Sequence, residues 1–300
     1  MKKLLFIFNP LAGTGKVKAC LSDMIDIFVK AGFIVTAHPT QGPGDVDKII
    51  TEYARDYDRI AVSGGDGTLD EVVTSMMKND IHIPVGYMPT GSTNDYGSSL
   101  GIDKDLIDAT NIAAHGVPYT VDVGAFGKDN YFVYVAAFGI FTRASYATPR
   151  EAKIILGHGA YLFEAAKELK DVPAYRIEVE YDGNTLYDEF IYGMITNSTS
   201  VGGMTGIIPG DVSLSDGVFE VNLVKNPKNP LELSEIVSAL TGVKKDSPYV
   251  YTFQASKIRF KSVEPISWTL DGEFGGTFED IKIKNIPHAL DVVVSDENNT

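Results

Sequence analysis

An α/β N-terminal domain over about residues 1–123, Rossmann-like with a mostly parallel sheet, followed by an antiparallel β-sandwich over about 124–290, is the fold the sequence predicts. Three observations predict it. The chain has 300 residues, about two domains at ~150 each, and its 44% apolar residues can bury a core in both. Up to about Asp122, short apolar runs alternate with segments of helical period, the signature of βα units. Beyond that point the period becomes two and tight-turn pairs appear, which is the texture of antiparallel sheet.

In order, Leu4 to Phe8 is an apolar run with no polar face, as a strand covered on both sides requires. Val17, Leu21, Met24/Ile25 and Phe28 fall at helical spacing, and Ala31-Gly32 closes that helix. Phe33 to Ala37 reads as a second strand, Gly44 to Tyr57 as a helix and Arg59 to Ser63 as a third strand. A helix is expected from Leu69 to about Asn79, then a strand from Ile83 to Gly86. In the second half Tyr175, Ile177, Val179 and Tyr181 alternate into Asp182-Gly183, a strong hairpin signal. Phe219, Val221 and Leu223, then Trp268 and Leu270, then Ile281 and Ile283 repeat the alternation, and a helix is expected at about 159–170. The tail from about 288 to 300 is expected to return to the first domain, with its last residues frayed.

Charge and composition exclude several classes. Twenty-six basic against 40 acidic residues give a net charge of −14, so polyanion binding by a basic surface, nucleic acid included, is disfavoured. The single cysteine, Cys20, allows neither an intrachain disulfide nor a cysteine zinc cluster, and fits a reducing compartment such as the cytoplasm. The apolar run after Lys2-Lys3 is too short for a signal segment, and no stretch approaches the ~20 apolar residues of a membrane span. Any membrane contact is therefore expected to be peripheral. Five scattered histidines show no metal-binding spacing.

Three glycine-rich loops follow predicted strands: Asn9-Pro10-Leu11-Ala12-Gly13-Thr14-Gly15-Lys16, Gly64-Gly65-Asp66-Gly67-Thr68, and Gly91-Ser92-Thr93-Asn94-Asp95. In an open α/β sheet such loops meet at the carboxyl edge of the strands. Glycine lets backbone N–H groups approach an anion, and a following helix N-terminus adds a favourable dipole, so phosphate is the natural guest. The first loop fails both the P-loop and the G-x-G-x-x-G templates. A carboxylate among phosphate-binding amides repels the phosphate unless a divalent cation intervenes, so Asp66 points to Mg²⁺. The alternative is Asp66 as an N-cap for the helix beginning near Thr68.

The run Gly64 to Glu71, preceded by Asn9-Pro10 with Gly13 and Lys16 and followed by Pro89-x-Gly91-x-x-Asn94-Asp95, resembles the bacterial diacylglycerol kinase and lipid kinase family. Leu156-Gly157 with Ala160-Tyr161, Leu214-Ser-Asp216-Gly217 and Leu270-Asp271-Gly272-Glu273 are similar to that family's later motifs in order and spacing. NAD kinases share the Gly-Gly-Asp loop, and the late Asp-Gly-Glu favours lipid kinases. The resemblance implies an ATP-dependent enzyme that phosphorylates a lipid hydroxyl, most simply diacylglycerol to phosphatidic acid, at the inner face of the membrane. It places Asn9, Pro10, Leu11, Ala12, Gly13, Thr40, Gly64, Gly65, Asp66, Gly67, Thr68, Leu69, Asp70, Glu71, Gly91, Ser92 and Asn94 around ATP. It puts Asp66 and Asp95 in the Mg²⁺ network, makes Glu273 the proton acceptor with Asp271 beside it, and assigns a second Mg²⁺ to Asp216 and the carbonyls of Ser213 and Val218.

Three departures stand out. Ser92 replaces the family's usual Thr, Asp70 the usual Asn, and Ser98 a usual Arg. An NAD kinase and a nucleotide-binding regulator without turnover remain the alternative readings, and a homodimer stays open. On turn chemistry alone Asp271-Gly272 is a hairpin turn. The basic and apolar residues of 141–170 are a candidate membrane-docking stretch, against an ordinary packed helix with a solvated face.

Overall fold

A computed structural model of the chain describes residues 1–91, 94–102, 105–140, 173–201, 204–205, 212–240 and 247–296. The candidate docking stretch 141–170, its expected helix and Ser92 lie outside the described residues.

The N-terminal half alternates strands and helices. They are β1 Lys2–Phe8, α1 Lys16–Lys30, β2 Phe33–Pro39, α2 Asp45–Tyr53, β3 Arg59–Gly64, α3 Asp66–Lys78, β4 Val85–Pro89, α4 Asp95–Ser99 and α5 Leu106–His115. The first four strands pair in parallel in the order β2-β1-β3-β4. Leu4 to Ile7 and Ile60 to Val62 are fully buried, which is why these strands carry no polar face. Helices α1, α2 and α3 turn Val17, Met24, Phe28, Ile50 and Val72 onto the sheet.

Three boundaries differ from expectation. Strand β4 starts at Val85, not Ile83, and runs on through Pro89. Helix α2 ends at Tyr53, and a single 3₁₀ turn covers Ala54–Asp56. Helix α3 begins at Asp66 itself, so its cap is Gly65 and Asp66 is not the N-cap of this helix. Its carboxylate is engaged elsewhere, as described below.

The second half holds β5 Val117–Phe126, β6 Asn130–Phe132, β7 Val135–Gly139, β8 Tyr175–Tyr181, β9 Asn184–Thr196, the short pair β10 Ser200–Val201 and β11 Met204–Thr205, and β12 Phe219–Lys225. Helix α6 Pro230–Leu240 precedes β13 Val250–Ala255, β14 Lys257–Leu270 and β15 Glu273–Val294. The β8–β9 hairpin turns at Asp182 and Gly183, with φ of 41° and 87°, as a two-residue loop requires. Strands β9 and β14 each pair with β8 along one stretch and with β7 along another, and β14 breaks register between Lys261 and Ile266. The break bends the sheet over an aromatic core in which Trp268 packs edge-on against Phe126, Phe138 and Phe260 at 5.2, 4.8 and 5.1 Å.

The change of period near residue 123 falls inside β5, which pairs antiparallel with β15 from Phe126 to Val117. The end of β15 reaches the first sheet, where Val292 and Val293 pair in parallel with Val85 and Gly86 of β4. The Glu273 end of that strand, 22 residues long, stands beside the loops of the parallel sheet. No helix among the described residues is long and apolar enough to cross a membrane.

Candidate functional site

The carboxyl edge of the parallel sheet brings the three glycine loops into contact. Asn9 closes the first on itself, its Oδ1 accepting from the Leu11 N–H at 2.9 Å. Gly13 has φ of 57° and lies so close to the third loop that a Cβ there would stand 2.8 Å from the Thr90 carbonyl oxygen. Loop three is fixed by a reciprocal pair, in which the Gly91 N–H donates to Asn94 Oδ1 at 2.7 Å and Asn94 Nδ2 donates to the Gly91 carbonyl at 2.9 Å. The second and third loops touch at their glycines.

A side chain on Gly91 would place its Cβ 2.7 Å from Gly65 Cα and 2.8 Å from Asn94 Oδ1. Gly91→Ala must therefore push apart a pair of backbones that only glycine lets approach. It is expected to weaken binding of a fluorescent ATP analogue about 10²-fold, the scale of an ångström-level misplacement. Unchanged affinity in that titration would show that the loop contact does not shape the nucleotide site.

Above the loops opens a cleft of about 1300 Å³. Asn9, Ala12, Gly13, Gly65, Gly67, Thr68, Asp70, Glu71, Gly91 and Asn94 line it together with Glu273. Glu273 enters from the β14–β15 turn, where Leu270 faces Glu273 across Asp271 and Gly272, with φ of 49° and 88°. Its Oε1 lies 3.8 Å from the position a Cβ would take on Gly67. The two halves of the chain thus both line one cleft. Burial, then Glu273 and then Asp45 raise the Glu71 carboxyl above the ordinary glutamate range, so a concentration of negative charge faces the cleft.

Other expected residues stand further back. Asp66 and Asp95 lie beneath the floor, 9% and 2% exposed. Asp66 Oδ2 accepts from the Asp95 N–H at 3.2 Å and also faces the N–H groups of Tyr96 and Asn94, so it holds the start of α4 rather than that of its own helix. Burial and the nearby Asp95 raise its pKa, and those N–H groups oppose the rise. Leu69 is fully buried in the core of the parallel sheet, and Gly64 is buried behind Gly65. Pro10, Thr40 and Leu11, the last 80% exposed, flank the cleft without lining it.

Asp271, expected beside Glu273 as a catalytic group, does not line the cleft. It is 4% exposed, and its carboxylate accepts the N–H groups of Val133, Tyr134 and Val135 at 2.6, 3.0 and 2.9 Å. A carboxylate so occupied builds the turn. The residues expected around ATP leave out other lining residues, among them Lys16, Pro43, Thr90 and Leu106. Lys16 has a readable signal, since it ends the first glycine loop and opens α1.

Outside the cleft lining, Asp216 is exposed on the turn before β12, its Oδ1 accepting from the Val218 N–H at 3.2 Å. The Val218 carbonyl accepts from Asn285 Nδ2 at 3.2 Å, and Asp122 Oδ2 accepts from the Gly217 N–H at 2.7 Å. No group of three or more His, Cys, Asp or Glu side chains with metal-binding geometry occurs among the described residues.

Comparison with known proteins places this geometry. The model of the diacylglycerol kinase catalytic domain matches residues 3–126, and that of the YegS C-terminal NAD kinase beta sandwich-like domain matches 135–294. A diacylglycerol kinase of Bacillus subtilis (strain 168) is 31% identical over 278 residues, spanning 92% of this chain and 91% of its own. The chain belongs to the diacylglycerol kinase family. A diacylglycerol kinase of Staphylococcus aureus (strain MRSA252) is 32% identical, with 92% and 87% covered. Among solved structures, a diacylglycerol kinase from Bacillus anthracis str. Sterne shares the fold with a TM-score of 0.76 at 21% identity, covering 99% of this chain and 98% of that one. A second chain from that strain reaches a TM-score of 0.83 at 24% identity, covering 99% and 96%. The family architecture is therefore an α/β N-terminal domain with a β-sandwich-like C-terminal domain, and Glu273 belongs to the second.

Proposed function

We propose that this chain is an ATP-dependent lipid kinase that moves the γ-phosphate to a lipid hydroxyl, with diacylglycerol as acceptor and phosphatidic acid as product. The observation that carries the reading is the Glu273 carboxylate set beside Gly67 in a cleft lined by the three glycine loops. The relatives that align over nine-tenths of the chain are named diacylglycerol kinases, which favours this acceptor over NAD.

In this reading the triphosphate lies over the backbone amides of Gly13, Gly65, Gly67 and Gly91 and the N-terminal turns of α1 and α3. Phosphoryl transfer passes through a loose transition state with charge on the equatorial oxygens, so catalysis is mostly positioning and charge neutralisation. Glu273, exposed in the cleft, orients the lipid hydroxyl and takes its proton as the new P–O bond forms. Mg²⁺, when bound, neutralises phosphate charge. It fits because Asp66 and Asp95 bury two carboxylates under the floor, Asp66 beside Asp95, the Tyr87 hydroxyl and backbone N–H groups. Those two would hold the ion by charge from below rather than line the cleft. A second cation would be held by Asp216 with the carbonyls of Ser213 and Val218. There the neighbouring Glu220 buries a carboxyl oxygen, Oε2, that has no hydrogen-bond partner, and burial and then Asp216 raise its pKa.

A diacylglycerol acceptor lives in a bilayer, so the chain works at the membrane surface, on the cytoplasmic side where ATP is found. The test is transfer from γ-labelled ATP with Mg²⁺ into vesicles of mixed lipids, with NAD as a competing acceptor and the product identified by mass. Labelled phosphatidic acid is expected. Label in NADP, or in no acceptor, would contradict the proposal.

A further inference from the structure

At the wall of the cleft, the carboxyl of Asp70 on α3, which lines it, meets that of Asp271 on the β14–β15 turn, which is buried behind it. The two are unequal. Asp271 accepts three backbone N–H groups, an arrangement that suits an ionised carboxylate. Asp70 has a buried Oδ1 that no donor reaches, an arrangement that penalises ionisation. Two adjoining carboxylates cannot both ionise without severe repulsion, and a proton placed between them removes both faults at once.

We propose that Asp70 is a positioning residue that works as a neutral carboxylic acid, donating its O–H to the Asp271 carboxylate and so fixing the turn that presents Glu273. The inference rests on the kinase reading for its rate effect, but not for the hydrogen bond. The charged groups around the pair agree with it. Asp271 and Glu71 act on Asp70 as negative charges that favour its protonated form, and the Thr74 hydroxyl is the one group opposing them. Tyr134, from the segment before β7, and Tyr96, from α4, face Asp271 as neutral phenols, and Asp66 and Asp95 add negative charge on the Tyr134 side. No basic group is among them. Burial first, and Asp271 second, hold the Asp70 carboxyl well above the ordinary aspartate range.

A raised acid keeps its proton on the low-pH side, so the hydrogen bond is intact there and is lost as pH rises through the raised value. Asparagine at position 70 would donate an N–H of the same reach at every pH.

The experiment compares phosphoryl transfer by the wild-type chain, Asp70→Asn and Asp70→Ala from about pH 6 to about pH 10, with kcat and KM separated. Expected is an alkaline fall in wild-type kcat that Asp70→Asn lacks, so that the variant leads by about tenfold at the alkaline end, with a lowered kcat at every pH for Asp70→Ala. Superimposable wild-type and Asp70→Asn profiles would overturn the proposal. Infrared difference spectroscopy between the wild-type chain and Asp70→Asn reads the proton without turnover. A protonated-carboxyl C=O band present in wild type and lost in the variant supports the hydrogen bond even if no lipid is phosphorylated, and absence of the band at neutral pH contradicts it.

Discussion

Glu273→Gln is expected to lower phosphoryl transfer about 10²- to 10⁴-fold, the range spanned by a positioned general base, while binding of ATP persists. The amide keeps the shape of the side chain, and Glu273 is exposed in the cleft, so no packing is lost. What disappears is the acceptor for the hydroxyl proton. Single-turnover transfer, read beside a nucleotide-binding titration, separates the two effects. Rates within about threefold of wild type would remove Glu273 from the chemistry.

Asp271→Ala is expected to act on the fold before it acts on the rate. The substitution strips acceptors from the N–H groups of Val133, Tyr134 and Val135 at a site only 4% exposed to solvent. A buried unsatisfied donor costs ~1–3 kcal/mol, so three cost about 3 kcal/mol or more. The Asp271–Gly272 turn also loses its left-handed aspartate, with φ of 49°. The denaturant midpoint should fall sharply, and Asp271→Asn, which keeps one acceptor oxygen, should recover some of the loss. An unchanged midpoint for Asp271→Ala would mean that the three N–H groups find water or other partners.

Glu273 and Asp271 also show where the sequence is legible. Glycine loops after apolar runs announce the carboxyl edge of a parallel sheet, because the backbone conformations needed there belong to few residues. Likewise Asp182-Gly183 announces its hairpin. The metal-directed reading of Asp66 draws on its neighbours in sequence, whereas its carboxylate turns to the N–H groups of residues 94–96, nearly thirty positions away. Asp271 presents the same difficulty, since its partners at 133–135 lie more than 130 residues upstream. Both are tertiary hydrogen bonds, which no local pattern encodes. Strand β15 likewise alternates legibly only from Ile281 to Asn285, yet its 22 residues pair with β14 and β5 and, at the far end, with β4 of the parallel sheet.

A crystal structure with a non-hydrolysable ATP analogue and Mg²⁺ tests the shared cleft most directly. The triphosphate is expected over the amides of Gly13, Gly65 and Gly91, with its terminal phosphate turned toward Glu273. A nucleotide bound elsewhere on the chain, or bound in the cleft with its terminal phosphate pointing away from Glu273, would contradict the account.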